Sequence, residues 1–354
     1  MPPYGLPSRI PVPSRSGTLI LLRHGQSIWN VTDPSTGTVS RFTGWADIPL
    51  TSLGADQARA AGRALRDSDL GPPDAAYCSL LARSVGTCDT ILRECGLREE
   101  GHWENIADAA APLPSPYKIP VMYSWRLNER HYGGLVGLSK AETERKYSAD
   151  LLHRWRHGWN TAPPPMDEDM RLYWEKHAGW CRTVTHLTSP HHRTRSVAEG
   201  RERRWRADGG PFTGTRMPPA ESLGECARRA LPVWTEAVSP RLRRGETVLV
   251  VAHANTIKSV LYHVDPEHVT RENMKQVAIP SAVPLVYKFR SAEGVENDAE
   301  EVLPGNLLRV GGGENDSNFG GVPLGGQWMG TDETKNLSFC TKEGRKMALE
   351  HEIA

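Results

Sequence analysis

The order of apolar and polar positions divides the chain into zones. From Thr18 to about Asp167, β-rich runs alternate with stretches whose apolar residues recur every three or four positions, the signature of an α/β fold. Thr18–Gln26 and Thr247–Asn255 are strand-like runs, each ending on a histidine followed by a small residue and a glutamine or asparagine. The spacing predicts a helix over Leu53–Leu65 that opens at Thr51 or Ser52. It predicts a short strand over Asp74–Cys78 leading into a helix from Ser79 to about Glu94. Ser139-Lys140-Ala141-Glu142 has the spacing of a capping box, and Leu151, Leu152 and Trp155 form an apolar stripe beyond it. From about Glu168 to Ala220 no period is sustained. His191-His192 and six arginines between Arg193 and Arg206 mark a long surface insertion, because structureless stretches of this length are uncommon inside compact domains. A helix then resumes over Glu221–Val238, with Leu223, Ala227, Leu231 and Trp234 on one face. The second apolar strand, a helix from Thr256 and a last strand near Pro284–Phe289 follow.

This pattern predicts three parts. Residues 1–17 form a proline-rich arm without an apolar stretch, expected to be disordered. Residues 18–290 form the folded unit, with the insertion at about 168–220. Residues 291–354 form a largely irregular tail, in which nine glycines fall between Gly305 and Gly330.

Composition narrows the partners. Lys plus Arg (43) nearly cancels Asp plus Glu (42), so global charge argues for neither nucleic acid nor a membrane surface. The six cysteines (Cys78, Cys88, Cys95, Cys181, Cys226, Cys340) show no CxxC pair and no metal-ligand spacing, and read as reduced thiols. No apolar run approaches the ~18–20 residues of a membrane span. The expectation is a cytoplasmic protein without a metal. The interleaved Glu199, Glu202 and Asp208 make the arginine-rich stretch read as solvated surface, although an acidic partner such as RNA stays open.

Chemistry concentrates where the apolar runs end. The first closes on Arg23-His24-Gly25-Gln26-Ser27, the second on His253-Ala254-Asn255, 229 positions later. Ligands of open α/β sheets collect at the carboxyl ends of strands, so two imidazoles delivered there can share one pocket. A single histidine in this setting can equally be structural. An imidazole with its unperturbed pKa near ~6.5 presents an unprotonated nitrogen to a phosphorus atom at neutral pH. Arg23 supplies a guanidinium fork matching phosphate oxygens, and Gly25 removes a Cβ that would hinder a phosphoryl group. Ser79, Arg83 and Thr87 are four apart and would share one face near a helix start, a setting that attracts anions or simply carries a solvated arginine. Asn128-Glu129-Arg130-His131-Tyr132-Gly133 is polar and aperiodic; Glu129 is either a proton carrier or plain surface. No GxxxxGK[ST] string occurs, which disfavours nucleotide hydrolysis of that type.

Taken in order, LLRHGQSIWN, FTGWADIPLT, SLLARSVGT, WRLNERHYGGL, APPPM, ESL and VAHANTIK resemble the cofactor-dependent phosphoglycerate mutases of the histidine phosphatase superfamily. The likeness runs from about Thr18 to Arg290, interrupted by the insertion. It implies a three-layer α/β/α sandwich with a mostly parallel central sheet. It implies His24 as a nucleophile that becomes phosphohistidine, Glu129 as proton carrier, and Arg23, Arg83 and His253 around the transferring phosphoryl group. It further implies a substrate site of Gly25, Gln26, Ser27, Asn30, Thr43, Gly44, Arg130, His131, Tyr132, Lys140, Arg156, His157, Ala254 and Asn255. The activity implied is interconversion of 2- and 3-phosphoglycerate in glycolysis and gluconeogenesis, primed by 2,3-bisphosphoglycerate and using no metal. Its partners would be small phosphoglycerates, with homo-oligomerisation left open.

Two positions depart from the family pattern. Ala254 stands where the pattern has glycine, and a positive φ there would cost ~1–2 kcal/mol. His157 stands where a second arginine is usual, removing a permanent charge. Ser27 favours a mutase over the bisphosphoglycerate synthase/phosphatase branch. The alternatives are a phosphatase that discharges its phosphohistidine to water, and a weakly active relative serving as an interaction module.

Overall fold

The computed structural model describes residues 16–98, 117–170, 218–292, 303–304, 307–309, 324–329 and 334. Residues 1–15 of the proline-rich arm and most of the insertion and tail lie outside the described residues; Gly17, expected in the arm, begins the first strand instead.

Strands β1 (Gly17–Arg23), β2 (Ala75–Cys78), β3 (Val121–Tyr123) and β4 (Thr247–Ala252) pair in parallel in the order β3-β2-β4-β1. Strand β5 (Leu285–Ser291) runs antiparallel to β1, and its other edge takes the short strands β6 (Leu307–Arg309) and β7 (Gln327–Trp328), both antiparallel to it. Of the seven strands among the described residues, six therefore point one way.

Alternation along the strands sorts the core into two faces. Leu19, Leu21, Tyr77, Val248, Val250, Tyr287 and Phe289 face helices α5 (Leu223–Pro232) and α7 (Ala254–Val264), meeting Leu223, Ala230, Ile257 and Leu261. Ile20, Leu22, Ala76, Cys78, Leu249 and Val251 face α1 (Ser52–Arg66) and α2 (Ala82–Glu94), meeting Ala61, Leu65, Val85 and Ile91. A sheet between two helical layers is the three-layer sandwich expected. The remaining helices are α3 (Lys140–Lys146), α4 (Ala149–His157) and α6 (Ser239–Arg243).

Local signals account for most boundaries. Thr51 caps α1 by accepting from the Gly54 amide, and the boxes Ser139/Glu142 and Ser222/Glu225 open α3 and α5. Four expectations change. Helix α2 starts at Ala82, so Ser79 lies in the turn before it and does not share a helix face with Arg83 and Thr87. The helix expected over Glu221–Val238 becomes α5 followed by a π-helical turn, Val233–Val238. Pro232 ends the α ladder there because it has no N–H to donate. Helix α7 starts at Ala254, two residues early, with His253 as its N-cap. The described part of the tail contributes β6 and β7, which no periodicity announced.

These tail strands are tied to the body at Asp265. Its buried carboxylate accepts from Tyr287 Oη (2.7 Å), the Gly325 amide (2.8 Å) and Arg309. Asp265, Glu267 and His268 are close enough to hold a cation, and the guanidinium of Arg309 is bonded into that group.

Candidate active site

All four parallel strands deliver polar residues at their carboxyl ends: 24–30 after β1, 79–83 after β2, 124–132 after β3 and 253–255 after β4. They surround one cavity of about 260 Å³ lined by Arg23, His24, Asn30, Thr43, Gly44, Arg83, Glu129, Tyr132, Lys140, Arg156, Ala254 and Asn255, together with Ser40, Arg41 and Phe42.

The two histidine rings lie 4.9 Å apart between centroids. His24 Nδ1 sits 2.6 Å from the Gly25 carbonyl, a contact that requires the proton on Nδ1. Nε2 is then the bare nitrogen, and Arg83 Nε donates to it at 3.3 Å. Burial, then Arg83 and Arg23, hold the His24 pKa well below its ordinary value. The ring is neutral at pH 7 with a nucleophilic Nε2.

The other ring is fixed differently. Ser79 Oγ lies 2.7 Å from His253 Nε2 and accepts the Leu81 amide at 3.3 Å; among the described residues Nε2 is the one acceptor within reach of its hydroxyl proton, which aims that proton at Nε2. Burial and the nearby Arg83 push the His253 pKa well down. A neutral ring accepting at Nε2 carries its proton on Nδ1, and that buried Nδ1–H finds no partner in the protein. It is a donor awaiting an acceptor.

The cations are held by carbonyls rather than by acids. Arg83, fully buried, donates to the carbonyls of Ala46 (2.9 Å) and Gly44 (2.8 Å), and burial lowers its pKa to about 10. Arg23 donates to the Ile279 carbonyl at 3.0 Å, while its buried Nε has no partner. Burial and Arg156 lower the Lys140 pKa. Lys258, one turn beyond Ala254, is lowered by burial and then by Arg23 to about 8. Such crowding of like charge stores an affinity for anions.

Glu129 accepts the Arg130 amide at 2.7 Å through Oε1 and lines the cavity. Arg130 lies over the Tyr132 ring, whose hydroxyl accepts from Asn255 Nδ2 at 2.9 Å.

Several expected site residues stand behind the cavity. Gly25 donates its amide to Thr87 Oγ1, and the space of its missing Cβ is taken by the backbone of Gly54, so it serves helix packing and not phosphoryl approach. Gln26 bonds Gln57 and Thr51, and Ser27 Oγ donates to Asn30 Oδ1 at 2.7 Å; both orient neighbours. Arg130 donates to the Trp155 carbonyl, and His131 accepts the Gly133 amide, with burial lowering its pKa to about 4. His157 packs against His153 at 4.9 Å, and burial followed by Arg156 lowers its pKa to about 4, so it adds no charge at neutral pH. Ala254 opens a helix, and among the described non-glycine residues only Ala282 has a left-handed φ, so the strain that a positive φ would bring at Ala254 is absent.

Ser40, Arg41 and Phe42 were not anticipated. A cation directly preceding Phe42-Thr43-Gly44 was the available signal.

The model of the histidine phosphatase superfamily (branch 1) matches residues 19–109 and 187–293. The chain belongs to this superfamily. Within it, a 2,3-bisphosphoglycerate-dependent phosphoglycerate mutase of Thermobifida fusca is 34% identical over 272 residues, covering 77% of this chain and 87% of its own length. A protein of the same name from Corynebacterium efficiens is 32% identical over 296 residues, covering 84% and 94%. Among solved structures, a mycobacterial glucosyl-3-phosphoglycerate phosphatase superposes with a TM-score of 0.46 at 19% identity, over 78% of this chain and 91% of its own. Among the described residues, no helix is long and apolar enough to cross a membrane.

Proposed function

We propose that the protein is a 2,3-bisphosphoglycerate-dependent phosphoglycerate mutase that works through a phosphohistidine on His24, in glycolysis and gluconeogenesis. One observation carries the reading: a single cavity is lined at once by His24, Arg83 and Glu129 and by Lys140 and Arg156. The first group suits a transferring phosphoryl group. The second suits further anionic groups of the same ligand, which a simple phosphatase would not need to hold.

The chemistry follows from the bonds described. His24 Nε2 attacks phosphorus as the P–O bond to the departing hydroxyl oxygen breaks, and Glu129 gives that oxygen a proton. In the return step, Glu129 removes the proton from the attacking hydroxyl, the new P–O bond forms, and the P–N bond to His24 breaks. Charge on the equatorial oxygens meets Arg23, Arg83 and the waiting Nδ1–H of His253, cations and donors that a phosphoryl transition state requires. The reading therefore gives no role to a metal. The bisphosphate supplies the phosphoryl group that primes His24. Residues present fit such a polyanion, since the buried donors Arg23 Nε and His253 Nδ1 beside His24 lack partners within the protein.

A coupled assay of 3-phosphoglycerate conversion tests the proposal. After exhaustive dephosphorylation, added 2,3-bisphosphoglycerate is expected to restore activity. Release of inorganic phosphate without conversion would instead support the phosphatase reading.

A further inference from the structure

Behind the cavity, and outside its lining, lies a buried ion pair. Arg229 Nε donates to Glu221 Oε1 at 2.6 Å and its Nη2 to Oε2 at 2.9 Å, with both side chains about 95% covered (4% and 5% exposed). Apart from a bond from Nη2 to Cys226 Sγ (3.4 Å), the rest of the guanidinium is spent on one loop. Nη1 donates to the carbonyls of Trp125 (3.2 Å), Arg126 (2.8 Å) and Asn128 (3.1 Å), and Nη2 to that of Glu129 (3.2 Å). Glu221 Oε2 accepts the His131 amide at 2.9 Å from the same loop.

We propose that the Arg229–Glu221 pair is a positioning device for Glu129, clamping the backbone on both sides of it so that its carboxylate meets the substrate hydroxyl; this rests on the role given to Glu129 above. Position matters because proton transfer needs heavy atoms within about 2.6–3.2 Å. Glu129 has little else to aim it. Its side chain is held through Oε1 by the next amide, so its direction follows the backbone at 129–130. That backbone is gripped at the Asn128 carbonyl by Arg229 and Thr256, at the Glu129 carbonyl by Arg229 and Trp45, and at the His131 amide by Glu221. Stability alone is a poor reason for the pair, since well-packed hydrocarbon of similar volume commonly serves as well as a buried ion pair. Hydrocarbon cannot hold four carbonyls and an amide in register. Lysine would keep the charge but not the fork.

A double-mutant cycle decides the matter, with Arg229→Lys, Glu129→Gln and the double variant assayed on 3-phosphoglycerate with 2,3-bisphosphoglycerate present. Each variant is also assayed for the burst of nitrophenol from p-nitrophenyl phosphate, whose leaving group needs no proton. The proposal predicts that Arg229→Lys lowers kcat at least tenfold with KM within twofold. It predicts that the ratio of burst rate to kcat rises at least tenfold, and that the same change costs less than twofold in the Glu129→Gln background. Equal losses in both backgrounds, or parallel losses in both assays, would overturn it. Should Arg229→Lys not fold, Glu221→Gln is read by the same criteria, because an amide has one acceptor oxygen where the carboxylate has two, and its NH2 must then face a donor of Arg229 or His131. If the parent protein converts no phosphoglycerate, the mutase reading falls. The cycle on an alkyl phosphomonoester, whose alkoxide also needs a proton, still tests the clamp.

Discussion

The site turns on two neutral imidazoles of one tautomer that expose opposite edges, and each is set by one neighbour. The Gly25 carbonyl puts the His24 proton on Nδ1, and the Ser79 hydroxyl puts the His253 proton on Nδ1 by occupying Nε2. His24 thereby exposes a lone pair and His253 a donor. Replacing Ser79 by alanine removes the bond that fixes His253. A net hydrogen bond is worth ~0.5–1.5 kcal/mol, so Ser79→Ala should fold and melt within a few degrees of the parent. Its kcat should fall about tenfold, less than the ~10²–10³ of deleting an oriented donor outright, because the His253 ring stays in place and loses only its orientation. Unchanged turnover would show that Ser79 does not direct His253. The histidines themselves were legible as residues that close apolar runs. Their tautomers were not, because these depend on Ser79 and Leu81, brought to β4 by pairing of β2 with β4.

At the scale of elements, the strand pattern and the capping signals gave the helices and strands closely, since apolar period and caps are local. What escaped was set by contacts between elements. Gly25 and Gly54 show the difference: a Cβ on either would overlap the backbone across the β1–α1 contact, which a string of residues after a strand cannot reveal. Gly25→Ala should therefore lower stability, by roughly 1–3 kcal/mol for overpacking, measured as a lower urea midpoint. A stable but inactive Gly25→Ala protein would restore the reading in which this glycine admits the phosphoryl group. The same reasoning explains Arg229 and Glu221: ESL was visible as a motif, but the loop its glutamate grips lies 90 positions away. Lys258 could have been noticed, standing one helical turn from Ala254.

Over the whole molecule, parallel order is what makes the site. Strands β3, β2, β4 and β1 end side by side, so segments near residues 24, 79, 129 and 253 converge without any being neighbours in sequence. The antiparallel strand β5 and the short tail strands extend the far edge and hold no residue of the cavity. The arginine-rich stretch lies outside the described residues. The central claim is that His24 Nε2 becomes phosphorylated within this convergence. Brief incubation with radiolabelled 2,3-bisphosphoglycerate, followed by quenching, measures it directly. The account predicts one acid-labile, alkali-stable label per chain, chased off by 3-phosphoglycerate and absent from His24→Ala. Label that persists in His24→Ala, or full turnover without any labelled protein, would contradict it.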